Sequence, residues 1–319
     1  MEIMANCTQD SIKKAAKALK DGYLVAFPTE TVYGLGADAS NPISVARIYE
    51  VKGRPTDHPL IVHISSTSQL DKWAVDVPEY ARNLARNFWP GPMTLILKRS
   101  QIAKDFITGG QNLVGLRVPS HPMALLLMKE FENLGGTGIA APSANRFGAV
   151  SPTTLDAVLE ELGTFLSNKD LLLDGGASEV GIESTIIDCS GETLNILRPG
   201  IISKEQVEEV CGLQNGDNIS GSKVKSSGLL VSHYSPLAEV VLDGETSPED
   251  GFFAMAEIQT PTGAIRLGSP ATIEEYAKNL YSVLRLADQK KLKRISVIQP
   301  FGDGLAIAIR DRLSKAAAR

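Results

Sequence analysis

The 319-residue sequence contains few cysteines, few histidines and no long apolar run. Its three cysteines, Cys7, Cys189 and Cys211, are spaced too widely for a disulfide framework or a Cys-x-x-Cys metal site. Its four histidines argue against a zinc hydrolase built on clustered His ligands. No segment approaches the roughly 20 apolar residues of a membrane helix, and the N-terminal residues lack a signal peptide's apolar stretch. We therefore expect a cytoplasmic protein with no membrane association.

An excess of positive charge and the common nucleotide and hydrolase motifs are also missing. Lys and Arg number 32 against 37 Asp and Glu, which gives a net charge of −5. The net charge therefore provides no reason to expect a protein that binds nucleic acid. The sequence contains no GxxxxGK[ST], GxGxxG, HExxH or GxSxG motif. Kinase-like, Rossmann-dehydrogenase and serine-hydrolase chemistry thus have no motif support.

Hydrophobic patterning predicts two α/β units joined by a polar segment. Short apolar runs alternate with helical periodicities in the first unit, and some connections are too short for a parallel crossover. The pattern therefore predicts a twisted open mixed sheet with flanking helices. Residues 212–228 are rich in Gly, Ser, Asn and Lys, as linkers are. We predict a first domain at 1–208, a linker or lid at 209–236 and a small Rossmann-like α/β domain at 237–319.

Local residue types predict several turns and helix caps. A helix over about residues 10–20 has Asp10 or Ser11 as its expected N-cap. The glycines of the segment 34–36 favour a turn, which would also let the backbone approach a ligand. Ser151 or Thr153 is expected to cap the helix that follows the Ser-Pro-Thr sequence.

Two groups of side chains near the start of the chain suit the binding of a polar, anionic substrate. Thr29 and Thr31 follow an apolar strand and could hydrogen-bond a small polar molecule. Lys52 and Arg54 stand two residues apart at a helix end, in a loop stiffened by prolines. They could bind phosphate, since Lys supplies a point charge and Arg a bidentate fork. They could equally well complement the dipole at the helix C-terminus.

Further polar residues follow or end other apolar strands. Ser143, Asn145 and Ser151 offer hydroxyl and amide groups that suit phosphate or ribose oxygens. Arg117 and Arg198 lie in apolar strands, where an arginine is costly to bury unless it is paired. The partner of Arg117 could be a substrate carboxylate or a structural Asp or Glu, whereas a lone arginine at Arg198 would usually form a structural ion pair.

The adjacent pair His233 and Tyr234 ends the polar segment. It could swing over a site in the first domain, or it could anchor the second domain. Together these residues suit polyanion binding and positioning, as in phosphoryl or nucleotidyl transfer. A non-catalytic protein that binds RNA or a nucleotide is the alternative that the residues leave open.

At these same motifs the sequence resembles the L-threonylcarbamoyladenylate synthases, a YrdC-like family, in their long two-domain form. The motifs occur in order over nearly all of residues 1–205. They are FPTETVYGLGADA (27–39), KGRPTDHPLIVHI (52–64), WPGPMTLIL (89–97), GLRVP (115–119), APSANRFGAVSPT (141–153), GIESTIID (181–188) and LRPG (197–200).

The resemblance implies a reaction. L-threonine, bicarbonate or CO2 and ATP with Mg²⁺ would give L-threonylcarbamoyl-AMP and pyrophosphate. A downstream threonylcarbamoyl-transferase machinery would use the product to form N6-threonylcarbamoyladenosine at tRNA position 37, so that stable tRNA binding is not required. The main alternative is a non-catalytic RNA- or nucleotide-binding protein of the same fold. Carbamoyl transfer to a protein partner ranks last, because no fused zinc-finger or acylphosphatase-like unit is evident.

The resemblance also implies roles for individual residues. The catalytic group would be Lys52, Arg54, Ser143 and Asn145. The threonine site would be Thr31, His63, Arg117, Ala141 and Ser184. The ATP site would be Arg54, His58, Ser143, Ser151, Arg198, His233 and Tyr234. No protein ligand is expected for a metal, since Mg²⁺ would arrive on the ATP phosphates. In one departure, Leu230, Val231 and Ser232 stand where long-form members carry basic residues.

Overall fold

The computed structural model describes residues 2–4, 8–212, 224–226, 228 and 233–318. Most of the predicted linker therefore lies outside the described residues, as does the departure at residues 230–232. Within the described part, none of the helices is long and apolar enough to cross a membrane.

The described residues form strands and helices in both units. The strands are β1 (Glu2–Met4), β2 (Val25–Phe27), β3 (Gly34–Asp38), β4 (Ile61–His63), β5 (Met93–Lys98), β6 (Leu113–Arg117), β7 (Ile139–Ala140), β8 (Leu171–Leu173), β9 (Thr185–Asp188), β10 (Asn195–Arg198), β11 (Glu239–Leu242), β12 (Gly251–Phe253), β13 (Ile265–Gly268) and β14 (Arg294–Val297). The helices are α1 (Gln9–Lys20), α2 (Pro42–Lys52), α3 (Leu70–Trp73), α4 (Glu79–Phe88), α5 (Asp105–Thr108), α6 (Pro122–Asn133), α7 (Leu155–Leu162), α8 (Lys204–Cys211), α9 (Ile273–Gln289) and α10 (Leu305–Ala317), with a 3₁₀ turn at Thr67–Gln69.

The larger sheet is mixed, as the short connections predict. Among the described residues it has ten strands in the order β1-β8-β2-β3-β7-β4-β6-β5-β9-β10. Strands β4 and β6 are parallel neighbours, and their register places His63 beside Arg117. Strand β9 pairs parallel with β5 and antiparallel with β10. This arrangement brings the end of β6, the start of β9 and the end of β10 to the same end of the sheet.

The glycines at 34 and 36 lie in a strand, so the predicted turn is wrong. They belong to β3, which pairs antiparallel with both β2 and β7. A Cβ atom on Gly36 would lie 2.8 Å from Ile139 Cγ2 and 2.9 Å from Phe27 Cε1. Glycine is therefore needed here for close packing across the sheet, which a turn interpretation does not anticipate.

Both predicted helix caps are displaced by a few residues. Thr8 caps α1 in a reciprocal capping box with Ser11, in place of Asp10 or Ser11 as the N-cap. Thr154 caps α7 by accepting a hydrogen bond from the Ala157 N–H, in place of Ser151 or Thr153. In each case the residue that caps is the one with extended backbone immediately before the first helical turn.

The second unit contains a four-stranded parallel sheet in the order β11-β14-β12-β13, packed with α9 and α10. Its apolar core includes Tyr276, Tyr281 and Leu313. The same cluster contains Val150 and Ile182 of the first unit. The two units are therefore joined by a shared apolar core as well as by the chain.

Candidate active site

A cavity in the first unit collects most of the residues that the resemblance singles out. Its lining includes Thr31, Lys52, Arg54, His63, Arg117, Ala141, Ser143, Asn145, Ser184, Arg198, His233 and Tyr234. These residues come from strands and loops far apart in the sequence. The structure thus brings together groups from all the quoted motifs except WPGPMTLIL (89–97), which contributes no lining residue.

Two of the predicted residues do not line the cavity. The Ser151 hydroxyl lies behind it and donates to Glu183 Oε1 at 2.6 Å, and Glu183 does line the cavity. The His58 ring packs edge-on against Phe147, with the ring centroids 5.3 Å apart, and Phe147 is also a lining residue. Ser151 and His58 therefore stand one residue away from the cavity surface.

Lys52 is buried at the end of α2, with 2% of its surface exposed. Its ammonium donates to the carbonyls of Ser143, at 2.6 Å, and Asn145. Burial, together with nearby Arg54, holds the pKa of Lys52 well below its usual range. The Lys52 ammonium thus connects α2 to the loop that carries Ser143 and Asn145, and an incoming anion would stabilise its charged form.

Two arginines add positive charge to the same cavity. Burial lowers the pKa of Arg54 to about 10 and also lowers that of Arg198. Arg54 donates to the Pro59 carbonyl at 3.0 Å, and its guanidinium lies 5.6 Å from the centre of the Phe147 ring. Arg198 donates to the carbonyl and hydroxyl of Ser184 at 3.0 and 3.1 Å. The cations are therefore held in defined positions.

The opposite side of the cavity is organised around Arg117, the last residue of β6. Its Nη2 donates to Glu30 Oε1 at 2.7 Å and to Thr31 Oγ1 at 2.9 Å. The sequence leaves open whether Arg117 pairs with a substrate or with the protein, and in the structure Glu30 is its partner. The Arg117 Nε has no hydrogen-bond partner among the described residues. The Nε–H of the guanidinium therefore remains available to another acceptor.

His63 lies beside Arg117 and is nearly inaccessible to solvent. Burial, and secondarily the charge of Arg117, lowers the pKa of His63 to about 3. The ring is therefore neutral at neutral pH. Its Nδ1 is buried without a hydrogen-bond partner among the described residues. A neutral imidazole with an uncommitted nitrogen can accept or donate one hydrogen bond to a bound ligand.

The loop after β7 has a defined shape that follows from Asn145. Its Nδ2 donates to the carbonyls of Arg146, at 2.7 Å, and Ala149, at 2.8 Å. These bonds close the loop on itself and bury the amide. The Asn145 Oδ1 has no partner among the described residues. The loop thus presents an acceptor and the Ser143 side chain to the cavity.

His233 and Tyr234 cover the cavity from the second unit's side. Their rings pack edge-on with centroids 4.0 Å apart, and both residues are buried. The His233 N–H donates to the Lys315 carbonyl of α10, and the Ser235 N–H donates to the Gly148 carbonyl. This short segment is therefore attached to both units at once.

Sequence reasoning missed two carboxylates and an aromatic residue at the site. Glu30 orients Arg117, Glu183 accepts from Ser151, and Phe147 forms an aromatic wall between His58 and His233. Glu30 and Glu183 stand inside the quoted motifs. The signal that could have found them is the rule that a buried arginine needs a carboxylate partner.

The described residues do not form a protein-held metal site. No group of three or more His, Cys, Asp or Glu side chains among them could hold an ion. Both oxygens of Glu183 are engaged, one by Ser151 and the other by Tyr281 and Arg312.

The mixed α/β fold and the buried, cation-lined cavity are typical of α/β enzymes that act on an anionic substrate. Comparison with known proteins identifies the family. The Sua5_yciO_yrdC family model, described as "Telomere recombination", matches residues 17–200. The model of the threonylcarbamoyl-AMP synthase C-terminal domain matches residues 202–318.

Individual relatives agree with the family models. The threonylcarbamoyl-AMP synthases of Pyrococcus abyssi and Bacillus subtilis are 40% and 39% identical, over 96% of this chain and 93% and 92% of theirs. Two solved structures of P. abyssi Sua5, one complexed with L-threonine, are 36% identical and superpose with TM-scores of 0.88 and 0.87. They cover 99% of this chain and 96% of their own. The chain belongs to the threonylcarbamoyl-AMP synthase family, an enzyme family of the nucleotidyltransferase type.

This finding confirms the predicted family and the predicted fold class. It favours an enzyme over a non-catalytic RNA- or nucleotide-binding protein. The named relatives are synthases, and this chain aligns with them over nearly their whole length.

Proposed function

We propose that the cavity binds ATP and L-threonine side by side and joins them through a carbamate. The observation that carries the proposal is the division of the cavity by charge and hydrogen bonding. Lys52, Arg54 and Arg198 form a cationic side that suits a polyphosphate. Arg117 and His63 form the other side, each with an unused nitrogen among the described residues.

The threonine side fits a small amino acid. The free edge of Arg117 would bind the threonine carboxylate, and Glu30 would keep the guanidinium in place. His63, Thr31 and Ser184 would bind the remaining polar groups. The Ala141 side chain is small and buried in the lining, which leaves room for the substrate.

The nucleotide side fits ATP. Lys52, Arg54 and Arg198 would bind the phosphates, while the Ser143 and Asn145 loop would supply hydroxyl and amide contacts. Phe147, with His58 behind it, offers a flat apolar surface for the adenine ring. The P. abyssi structure that contains L-threonine supports a threonine site in this fold.

The reaction proceeds in two steps, the formation of a carbamate and its transfer to the α-phosphorus of ATP. The neutral amine of threonine attacks CO2 and loses one proton to solvent, or attacks bicarbonate and releases water, and in either case forms an N-carboxylate. A carbamate oxygen then attacks the α-phosphorus of ATP in line, so that the P–O bond to pyrophosphate breaks. Lys52, Arg54 and Arg198 stabilise the charge that develops on the phosphate oxygens.

The segment that carries His233 and Tyr234 acts as the lid of the site. Carbamates and acyl adenylates react with water, so the cavity must be closed during the reaction. The burial of both rings against the cavity, and the attachment of this segment to both units, supports a closing role. The domain limits 1–208, 209–236 and 237–319 remain part of this proposal.

The product would be passed to the threonylcarbamoyl-transferase machinery that modifies tRNA, in the cytoplasm. The net charge of −5 agrees with an enzyme that makes a small intermediate and does not itself bind tRNA.

A binding experiment tests the proposal against the alternative function. Thermal melting of the protein with ATP, threonine and bicarbonate, singly and together, should show the largest rise in Tm when all are present. A non-catalytic RNA-binding protein would instead show RNA affinity that falls steeply with salt and would not respond to threonine.

A further inference from the structure

A buried carboxylate joins the two units next to the cavity. Glu183, of the first unit, accepts hydrogen bonds from Tyr281 of α9 at 2.8 Å and from Arg312 of α10 at 2.9 Å, both on Oε2. Its other oxygen accepts from Ser151 at 2.6 Å. We call Glu183, Ser151, Tyr281 and Arg312 the interdomain cluster. Ser151, Tyr281 and Arg312 therefore each donate a hydrogen bond to the carboxylate of Glu183.

The interdomain cluster is deeply buried and strongly charged. Arg312 is completely inaccessible to solvent, and Glu183 is 7% exposed. Burial alone would raise the pKa of Glu183, but the charges of Arg312 and Arg198 lower it to about 2. The carboxylate is thus ionised at neutral pH and needs its donors from the second unit.

Arg312 contacts the immediate chain neighbours of two predicted substrate-binding residues, Arg198 and Ser184. Its Nη2 donates to the Pro199 carbonyl at 2.9 Å, and Pro199 follows Arg198 directly. Glu183 directly precedes Ser184, whose carbonyl and hydroxyl accept hydrogen bonds from Arg198. One second-unit guanidinium therefore holds the two chain segments that place Arg198.

A second contact of α9 holds the loop on the nucleotide side. Arg285 donates to Glu161 Oε1 at 3.0 Å and to the Val150 carbonyl. The other oxygen of Glu161 accepts from the Arg146 N–H at 3.1 Å. Helix α9 also packs directly on the first unit, since a Cβ on Gly181 would lie 2.4 Å from Lys278 Cα. The loop from 143 to 151 is therefore braced by the second unit.

The threonine side of the cavity is held differently. Arg117 is positioned by Glu30 and Thr31, and the Thr31 hydroxyl lies 2.9 Å from that of Thr29. All of these residues belong to the first unit. Ser184 is additionally held from the first unit by the Thr94 hydroxyl at 2.8 Å.

From this asymmetry we infer that Tyr281 and Arg312 are positioning residues for the nucleotide side of the site. Through Glu183 and Pro199 they place Arg198 and Ser151, so that the second unit completes the ATP site while leaving the threonine site intact. This inference rests on the proposed assignment of Arg198 to ATP.

The test uses a pair of matched tyrosine variants of the full-length protein. Tyr281→Phe removes only the hydroxyl that donates to Glu183. Tyr276→Phe removes a buried hydroxyl of the same helix, which donates to the Ile298 carbonyl within the second unit. Arg312→Met has an analogous control in Arg310→Met, whose guanidinium donates to the Pro300 and Gly302 carbonyls. KM and kcat for ATP and for threonine are measured from pyrophosphate release, and threonine binding is measured separately by calorimetry.

We expect Tyr281→Phe and Arg312→Met to raise the KM for ATP by about tenfold or more, while the threonine Kd changes by less than about twofold. The two controls should leave both constants unchanged. The inference is overturned if the KM for ATP is unchanged in Tyr281→Phe, or if ATP and threonine constants worsen together. If Arg312→Met does not fold, Tyr281→Phe decides the matter. A wild-type protein without threonine-dependent pyrophosphate release would contradict the proposed function itself, which is a separate result.

Discussion

Arg117 and Glu30 form a buried ion pair, with Arg117 Nη2 2.7 Å from Glu30 Oε1 and both side chains 6% exposed. The second carboxylate oxygen of Glu30 accepts from the Ser120 N–H. The guanidinium is thereby held at the end of β6 with its Nε unused among the described residues. This geometry leaves Arg117 able to bind a second carboxylate, and in the proposed function that carboxylate belongs to threonine.

The first prediction concerns this arginine. Arg117→Lys keeps the charge but loses the planar fork that serves Glu30 and a substrate carboxylate together. We expect the KM for threonine to rise by about tenfold to 100-fold, as the loss of a charge-assisted hydrogen bond implies. Steady-state kinetics at saturating ATP measures this constant. Arg82→Lys, in an exposed ion pair with Asp71, is the control. An unchanged KM for threonine would contradict the assigned role.

The second prediction concerns Lys52. Lys52→Met keeps most of the aliphatic volume and removes the ammonium that bridges to Ser143 and Asn145. We expect kcat to fall by about 100- to 1000-fold, as it does when one preorganised electrostatic donor is lost. Pyrophosphate release measures the rate. Lys169→Met, which removes an exposed ammonium bonded to Tyr23, should have wild-type activity. Retention of wild-type kcat by Lys52→Met would remove this residue from the mechanism.

The third prediction concerns the dependence of stability on pH. Burial lowers the pKa of His63 to about 3, whereas a histidine of the unfolded chain titrates near 6.5. The unfolded state therefore binds more protons between these values, and the free energy of unfolding falls as the pH falls. The contribution of His63 is about 1.4 kcal/mol per pH unit within this window.

His63→Gln cannot titrate and should flatten the pH dependence by that amount. Urea unfolding at about pH 4, 5 and 6 gives the slope for both proteins. Parallel slopes for the variant and the wild type would show that folding does not lower the pKa of His63.

The fourth prediction concerns the lid. His233→Ala opens the cavity at the point where the His233 and Tyr234 rings pack together. Water should then reach the acyl adenylate and hydrolyse it to AMP, so that less threonylcarbamoyl-AMP is formed per ATP consumed. Chromatographic quantification of AMP and product gives this ratio. Phe301→Ala, which alters a fully exposed aromatic of the second unit, serves as the control. An unchanged ratio in His233→Ala would contradict the lid.

Much of the fold could be predicted, because the spacing of apolar residues along the sequence indicates which face of a helix is buried. The apolar face of α1, with Ile12, Ala15, Ala16 and Leu19, is buried as its spacing predicts. Strand β3 could not be predicted in the same way. Its Gly34 and Gly36 are selected by contacts with β2 and β7, and those contacts join residues distant in the sequence.

The site shows the same limit. The motifs bring the polar residues to the cavity, but the partners that orient them are remote. Glu30 pairs with a residue 87 positions away, and Glu183 with one 129 positions away. Charge balance predicts that a buried arginine needs a carboxylate, while only the folded topology decides which carboxylate it is.

The most direct test of the account is the exchange of labelled pyrophosphate into ATP by the purified protein. Carbamate formation must precede attack on the α-phosphorus, so the account predicts exchange only when threonine and bicarbonate are both present, and its loss in Arg54→Ala. Exchange that proceeds without threonine, or that survives in Arg54→Ala, would contradict it.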